Sequence, residues 1–156
     1  MTALKIGDIA PDFTLPKPDK SELSLSSLRG QNVLILFFPL AFTSTCTAEL
    51  CGVRDDISRY NDMNAKVIGI SVDSPFVLGK YAQENQLNMD LLSDFNKQVC
   101  GVYGSQYETF ILGMQGVAKR SAFIVDKEGI IRYAEVLENA GDIPDFVKIK
   151  EVLSIL

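Results

Sequence analysis

"NVLILFFPLAFTSTC", residues 32–46, passes from a continuous apolar run through a proline into a polar stretch that ends in a cysteine. The run 32–38 is rich in branched and aromatic residues, which is typical of a strand buried on both faces of a sheet. "KVIGISV", residues 66–72, has the same character. Between the two runs, apolar side chains recur at helical spacing over residues 46–60. The order strand, helix, strand predicts a parallel crossover.

Two more helices are indicated after residue 72. Ser74 followed by Pro75 has the residue types of an N-cap and a first helical position. Ser93 or Asp94 is the expected cap of the next, shorter helix. The apolar, glycine-containing stretch 107–117 has no clear period, and we expect it to be a loop that covers a site or a partner surface.

The last third of the chain indicates a hairpin and a closing helix. "RSAFIVD" and "IIRYAEV" are strand patterns joined by the Lys127–Glu128–Gly129 turn, which predicts an antiparallel pair. Asp142 is the expected cap of a final amphipathic helix. With a strand pair at the N-terminus, the order fits an α/β fold, a mixed central β-sheet flanked by α-helices, in one domain over residues 1–156.

Composition and charge limit what the chain can do. Its residues are 47% apolar, yet it has no run of about 18 or more apolar residues that could span a membrane. The start "MTALKIGDIAPDF" lacks the features of a secretory signal. A net charge of −5, with 15 basic and 20 acidic residues, gives no positive stripe for nucleic acid. We therefore expect a soluble, cytoplasmic protein that binds neither membranes nor nucleic acids.

The chain has three cysteines and no histidine. In a reducing compartment such thiols are usually free, catalytic or metal-bound. Without histidine, zinc ligation and a Cys–His catalytic pair are effectively excluded, so we expect no metal site. Any reactive thiol must be activated by other means.

Cys46 is expected in the first turn of the first helix. Pro39 interrupts strand pairing, and the polar residues 43–45 that follow are suited to start a helix. The free N–H groups and the positive dipole end of the helix would stabilise a thiolate there. Alternatively, Cys46 is a small apolar member of the buried helix face. Its place at the carboxyl end of a strand favours function, because open α/β sheets hold their sites there.

The spacing of Pro39, Thr43 and Cys46 matches the P-x-x-x-T-x-x-C signature of the peroxiredoxins. The resemblance extends in order through "KIGDIAPDFTLP", "SLSSLRGQNVLILFFP", "VIGISVDSP" and "RSAFIVDKEGIIRYAEV", which is nearly the whole chain. Within the family the sequence most resembles the alkyl hydroperoxide reductase E group. The resemblance implies a thioredoxin-like fold and a thiol-dependent peroxidase that reduces hydrogen peroxide and organic hydroperoxides without a cofactor.

The resemblance also implies roles for four residues around Cys46, the peroxidatic thiol. Thr43 would offer its hydroxyl to the thiolate and the attacked oxygen, and Pro39 would shield the sulfur. Arg120 would keep the thiol deprotonated and bind the peroxide oxygens. Glu49 would orient that arginine. Alternatives stay open: Arg120 as a solvated strand-end residue, Glu49 as a surface acid and Thr43 as an N-cap.

Cys51 follows Cys46 by five residues, on a helix stripe that is otherwise polar. In the resembling peroxiredoxin Q (bacterioferritin comigratory protein) group, a C-x-x-x-x-C pair of this spacing forms the resolving disulfide. In an intact helix the two Cα atoms would be about 8.6 Å apart, whereas a disulfide tolerates about 7 Å. The bridge therefore requires local unwinding, and the alternative is a spectator thiol in an enzyme recycled by an external thiol. Cys100 is expected to fill a buried helix position.

The expected partners are a hydroperoxide substrate and a thiol reductant: thioredoxin, a glutaredoxin-like protein or a small thiol. The resemblance suggests a homodimer. A thioredoxin-type exchanger is disfavoured because the chain has no C-x-x-C pair. A peroxide sensor or holdase, in which oxidation of Cys46 exposes apolar surface such as "FILGM", is the alternative function.

Overall fold

Five strands form the central sheet of the computed structural model, which describes residues 4–156. The strands of the chain are β1 (Thr14–Pro16), β2 (Glu22–Ser24), β3 (Asn32–Phe37), β4 (Ala65–Ser71), β5 (Asp90–Ser93), β6 (Ser121–Val125) and β7 (Ile131–Val136). The helices are α1 (Ser44–Asp55), α2 (Ile57–Asp62), α3 (Pro75–Glu84), α4 (Gln98–Val102) and α5 (Phe146–Ser154), with short 3-10 turns at Leu25–Leu28 and Ile111–Gly113.

The central sheet has the order β5-β4-β3-β6-β7, and β1 and β2 form a separate antiparallel pair. β3 runs parallel to β4 and antiparallel to β6, so the predicted crossover and the predicted β6–β7 hairpin are both confirmed. Every residue of β3 is buried, as its continuous apolar sequence indicated. The sheet is mixed because β3 joins a parallel half to an antiparallel half.

Each face of the sheet carries its own apolar core. Alternate β3 side chains, including Leu34 and Leu36, pack on one side against residues of α1, α2, α3 and α5. Ile35 and Phe37 pack on the other side against β1, the first 3-10 turn and α4. The helices therefore flank the sheet on both sides. Within residues 4–156, no helix is both long and apolar enough to cross a bilayer.

Three details of the sequence prediction are corrected. The helix expected over 46–60 is broken at Asp56, whose backbone leaves the helical region between α1 and α2. Ser93 ends a strand, β5, that the sequence did not indicate, and α4 begins later, at Gln98. The closing helix is capped by Asp145, whose side chain accepts from the Lys148 N–H at 3.1 Å, and not by Asp142.

Two residues predicted as caps, Ser74 and Asp94, accept hydrogen bonds from backbone N–H groups at the start of a helix. Ser74 accepts from the Val77 N–H at 3.2 Å at the start of α3, as predicted. Asp94 lies outside α4, but its carboxylate accepts from the N–H groups of Val99 and Cys100 at 3.1 and 2.8 Å. A side chain can thus hold a helix start from several residues away.

Candidate active site

Cys46 lies in the first turn of α1, directly beyond the carboxyl end of β3. The chain leaves β3 at Phe37 and turns at the buried Pro39 before α1 begins at Ser44. Cys46 is 0% exposed and belongs to the core cluster on this face of the sheet. It is therefore both a member of the buried helix face and a thiol at the strand end, the two positions that the sequence indicated.

Arg120 brings a charge to this sulfur from across the sheet. It directly precedes β6, which pairs with β3, and its guanidinium is buried, with the residue 1% exposed. Nη2 donates to Cys46 Sγ at 3.1 Å and to the Ala140 carbonyl at 3.0 Å. The solvated strand-end position considered for Arg120 is therefore wrong.

The charge of Arg120 is stabilised despite its burial. Desolvation lowers the pKa of the guanidinium, but Cys46 and Glu49 beside it outweigh that effect and raise the pKa above its ordinary value. The group is thus a permanent cation next to the sulfur. A cation in this position can stabilise negative charge on the atom that it contacts.

Glu49 completes the group from the next turn of α1. Its Oε1 accepts from Arg120 Nη1 at 2.8 Å, and the residue is 2% exposed, so the alternative of a surface acid is wrong. Burial raises the pKa of Glu49 to about 7, although Arg120 opposes this rise. Among the described residues, Glu49 Oε2 finds no hydrogen-bond partner. Burial thus favours the protonated form of this carboxyl group more than at an exposed glutamate.

Thr43 and Pro39 line a cavity of about 200 Å³ that opens at Cys46. Thr43 occupies the N-cap position of α1, but its hydroxyl donates to the Leu40 carbonyl at 2.8 Å. A hydroxyl that donates one hydrogen bond can still accept others. The remaining lining residues are Ser44, Thr45, Phe110, Ile111, Arg120, Ala140 and Gly141.

The loop expected at 107–117 covers one side of this cavity. Phe110 and Ile111 contribute to its lining. Leu112 beside them has a left-handed backbone, φ 58°, and is 93% exposed. Among the lining residues Cys46 and Arg120 are buried, whereas Ile111 of this loop and Thr43 and Ser44 at the start of α1 are exposed. The entrance of the cavity therefore has an apolar side and a polar side.

A larger cavity, about 470 Å³, lies at the opposite edge of the sheet, near the amino ends of β3 and β4. Its lining includes Gln31, Asn64 and Lys66 but no cysteine. Volume and chemistry therefore point to different cavities. The smaller one is the candidate active site, since it combines a thiol with a buried cation.

All three cysteines are free thiols in this structure. Cys51 is half-buried on the unbroken helix α1, with Sγ 4.0 Å from Asn85 Oδ1. Cys100 is fully buried, and burial, followed by the nearby Asp94, raises the pKa of its thiol to about 12. Cys100 is therefore an unreactive thiol at neutral pH, whereas Cys51 is accessible in part.

Two contacts of the site have no signal in the sequence. The Ala140 carbonyl accepts from Arg120, and a carbonyl leaves no trace in residue type. Tyr81 of α3 pairs its hydroxyl at 3.0 Å with that of Thr47, the residue after Cys46.

The geometry suits one kind of chemistry. A buried cysteine sulfur that accepts a hydrogen bond from a guanidinium is placed to act as a nucleophile toward a small electrophile that enters the cavity. The same guanidinium can stabilise negative charge on the group that leaves.

Comparison with known proteins agrees with this chemistry. Residues 6–134 match the AhpC/TSA family. The chain is 39% identical over 135 residues to peroxiredoxin Bcp of Escherichia coli strain K12, which covers 85% of this chain and 86% of that protein. It is 36% identical over 148 residues to alkyl hydroperoxide reductase E of Mycobacterium bovis, 91% of each protein. Both subgroups named in the resemblance are represented.

Solved structures give the same result for the fold. Peroxidoxin BcpB from Mycobacterium tuberculosis superposes with a TM-score of 0.86 at 28% identity, covering 98% of both chains. A peroxiredoxin-like protein from Aquifex aeolicus superposes with a TM-score of 0.90 at 22% identity over 99% of this chain and 89% of that one, which is a likeness of fold. The expected thioredoxin-like fold is confirmed.

Proposed function

The chain belongs to the AhpC/TSA family and is a thiol-dependent peroxidase, and we propose that Cys46 is the thiol that reduces the peroxide. The observation that carries this proposal is the 3.1 Å contact between Arg120 Nη2 and Cys46 Sγ at the base of a cavity. A guanidinium in that place supports both an anionic sulfur and a developing oxyanion.

The first step is displacement at oxygen. The Cys46 thiolate attacks the terminal peroxide oxygen, a sulfur–oxygen bond forms, and the oxygen–oxygen bond breaks. The electron pair of the broken bond leaves with an alkoxide, or a hydroxide for hydrogen peroxide, which takes up a proton. Cys46 becomes a sulfenic acid as the peroxide is reduced to an alcohol or to water. Arg120 is placed to stabilise the negative charge as it moves from sulfur to the leaving oxygen.

Three neighbours assist this step. Thr43, while it donates to Leu40, can accept a hydrogen bond from the terminal O–H of the peroxide. Pro39 covers the sulfur and limits access to small groups. Glu49 fixes the guanidinium through Nη1 and so leaves Nη2 for the sulfur.

Cys51 is the resolving residue in this proposal. Its thiolate attacks the Cys46 sulfenic sulfur, which forms a disulfide and releases water once a proton is taken up. The first two turns of α1 must open, because the bridge does not fit the intact helix. An external thiol then reduces the disulfide: thioredoxin, a glutaredoxin-like protein or a small thiol.

The substrates proposed are hydrogen peroxide and organic hydroperoxides. The apolar side of the cavity, formed by Phe110 and Ile111, would accept the organic part of the latter, and one relative is named for the reduction of alkyl hydroperoxides. We place the protein in the cytoplasm as a homodimer. Light scattering tests the dimer, since the chain mass is 17.2 kDa and a particle of that mass would contradict it.

Two serine variants test the thiol roles. Cys46→Ser is expected to abolish peroxide consumption, because it removes the nucleophile. Cys51→Ser is expected to keep the first turnover and to slow only recycling by a disulfide-specific reductant. Cys100→Ser is the control and should behave as the wild type. Peroxide consumption by Cys46→Ser at the wild-type rate would refute the proposal.

A further inference from the structure

The loop between β3 and α1, residues 38–43, carries two walls of the active-site cavity. Pro39 and Thr43 line that cavity at either end of the loop. Between them Phe42 has a left-handed backbone, φ 67°, which is a strained conformation for an aromatic residue. A strained segment keeps its shape only when its surroundings fix it. The contacts that fix this loop therefore bear on the reaction.

The central contact comes from the strand beside it. Asp73 follows the end of β4, and its Oδ2 accepts from the Ala41 N–H at 2.7 Å. The Ser71 hydroxyl donates to the same oxygen at 2.6 Å, and the Asp73 N–H donates back to Ser71 at 3.2 Å. The Ser93 hydroxyl at the end of β5 donates to the Asp73 carbonyl at 2.6 Å. Hydrogen bonds from Ser71 of β4 and Ser93 of β5 thus fix Asp73. The fixed carboxylate in turn holds the loop.

The geometry assigns Asp73 as a positioning residue of the peroxidase reaction: it holds Ala41, and through Ala41 it sets the places of Pro39 and Thr43 around the substrate. Asp73 does not line the Cys46 cavity, so its action is indirect. This inference rests on the proposed function of Cys46.

The hold of Arg120 on Cys46 does not depend on Asp73. The guanidinium is fixed by Glu49 and by the Ala140 carbonyl, which lie on other parts of the chain. Loss of the Asp73 contact should therefore disturb peroxide alignment while the sulfur keeps its cation. Two reactions of one thiol, one that needs the cavity walls and one that does not, can separate these effects.

The test compares Asp73→Ala with Asp73→Asn in the full chain. The rate of Cys46 oxidation by hydrogen peroxide is measured by quenched mixing and mass spectrometry, and alkylation of Cys46 by iodoacetamide is measured in parallel. Asp73→Ala should slow peroxide oxidation about 10- to 100-fold, the scale of an ångström-sized misplacement. Its alkylation rate should stay within about threefold of the wild type. Asp73→Asn keeps an acceptor oxygen and should restore the peroxide rate.

Asp126→Ala is the matched control. Asp126 also accepts from backbone N–H groups, those of Glu128 and Ile130 at 2.9 Å each, but in the β6–β7 turn at the opposite edge of the sheet. Asp126→Ala should lower the free energy of unfolding, measured in urea, and leave the rate of Cys46 oxidation by peroxide unchanged. Urea unfolding of Asp73→Ala and Asp73→Asn is measured in parallel. It verifies that the rates of peroxide oxidation are compared between folded proteins.

Four results would overturn the assignment: a wild-type peroxide rate in Asp73→Ala, an equal loss of both Cys46 reactions, no recovery in Asp73→Asn, or an equal loss in Asp126→Ala. Failure of the proposed function is distinguishable, because wild-type Cys46 would then resist peroxide. If wild-type Cys46 reacts and Asp73→Ala reacts as fast, the inference about Asp73 alone is refuted.

Discussion

Arg120 joins three groups through one guanidinium. Nη2 contacts Cys46 Sγ and the Ala140 carbonyl, while Nη1 contacts Glu49. Only a planar fork with several donors can serve partners in these directions at once. Because the pair with Glu49 is fully buried, loss of Arg120 leaves the Glu49 carboxyl group without its partner, whereas Glu49→Gln keeps an oxygen that can accept from Nη1.

Removal of this cation should slow the first step. Arg120→Met is expected to lower the rate constant for Cys46 oxidation about 10²- to 10³-fold, the usual cost of losing one donor to a developing oxyanion. Arg120→Lys keeps the charge but not the planar fork, so its rate of Cys46 oxidation should lie between those of the wild type and Arg120→Met. Quenched-flow mass spectrometry of the Cys46 sulfenic acid measures both.

Arg132→Met is the control for the arginine series. Arg132 lies in β7 and pairs with Asp126 at the surface. Its loss should leave the rate of Cys46 oxidation unchanged. An Arg120→Met protein that stays folded and reacts like the wild type would show that the cation has no part in the step.

Glu49 should give stability an unusual pH dependence. Its folded pKa, raised by burial to about 7 from 4.5, means that between these values the native state holds a proton that the unfolded chain has released. Stability from this group is therefore lost as pH rises through that window. The difference in the free energy of unfolding between Glu49→Gln and the wild type should therefore grow in favour of Glu49→Gln by about 1 to 3 kcal/mol from about pH 5 to about pH 8.

Urea unfolding of both proteins across that range measures the difference. Glu84→Gln on the exposed side of α3 is the surface control, since Glu84 forms an exposed i,i+4 pair with Lys80. A stability difference between Glu49→Gln and the wild type that stays constant with pH would contradict the assignment of a buried, titrating carboxyl group.

At the scale of elements, α1 has two tasks that conflict. Its first turn must be intact to present Cys46 to Arg120, yet it must open for Cys46 to reach Cys51. The far end of α1 is anchored, because Arg54 donates to the Asn85 carbonyl at 2.6 Å and Asn88 donates to the Arg54 carbonyl at 3.3 Å. Opening is therefore expected from the N-terminal end, through Cys51 and Gly52, as far as the anchor at Arg54.

A more stable helix should slow resolution alone. Gly52 is exposed in α1, and a Cβ built there meets nothing within 4 Å. Gly52→Ala should therefore stabilise the helix by about 0.5 to 1 kcal/mol. If opening extends across Cys51, this stabilisation adds to the barrier for opening, and the disulfide should form about two to five times more slowly.

The rate of Cys46 oxidation by peroxide serves as the internal control for Gly52→Ala and should not change. Both steps are followed by quenched mass spectrometry, the first as one added oxygen and the second as its loss with formation of the bridge. Disulfide formation at the wild-type rate in a measurably stabilised Gly52→Ala protein would contradict opening across Cys51.

At the scale of the whole molecule, the sequence predicts the parts whose signal is local. β3 and β4 are recognisable because a strand buried on both faces is continuously apolar. β5 has only four residues, and its pairing with β4 is not visible in its own composition. The break at Asp56 has neither proline nor glycine to mark it. Local patterns thus predict the longer strands of the sheet and miss the short edge strand β5.

The residues of the candidate site likewise fall into those that a local motif predicts and those that only the fold brings together. Pro39, Thr43 and Cys46 lie within one short motif, so spacing alone brings them together. Arg120 and Glu49 are 71 residues apart, and only the family resemblance joined them before the fold was known. Contacts made by backbone groups, such as the Ala140 carbonyl, depend on the fold and not on residue type.

Peptide mapping by mass spectrometry after one equivalent of hydrogen peroxide tests the central claim most directly. The account predicts a disulfide between Cys46 and Cys51 in the wild type, oxygen on Cys46 alone in Cys51→Ser, and an unmodified Cys100 in both. Oxygen placed first on Cys51 or Cys100, with Cys46 left as a free thiol, would contradict it.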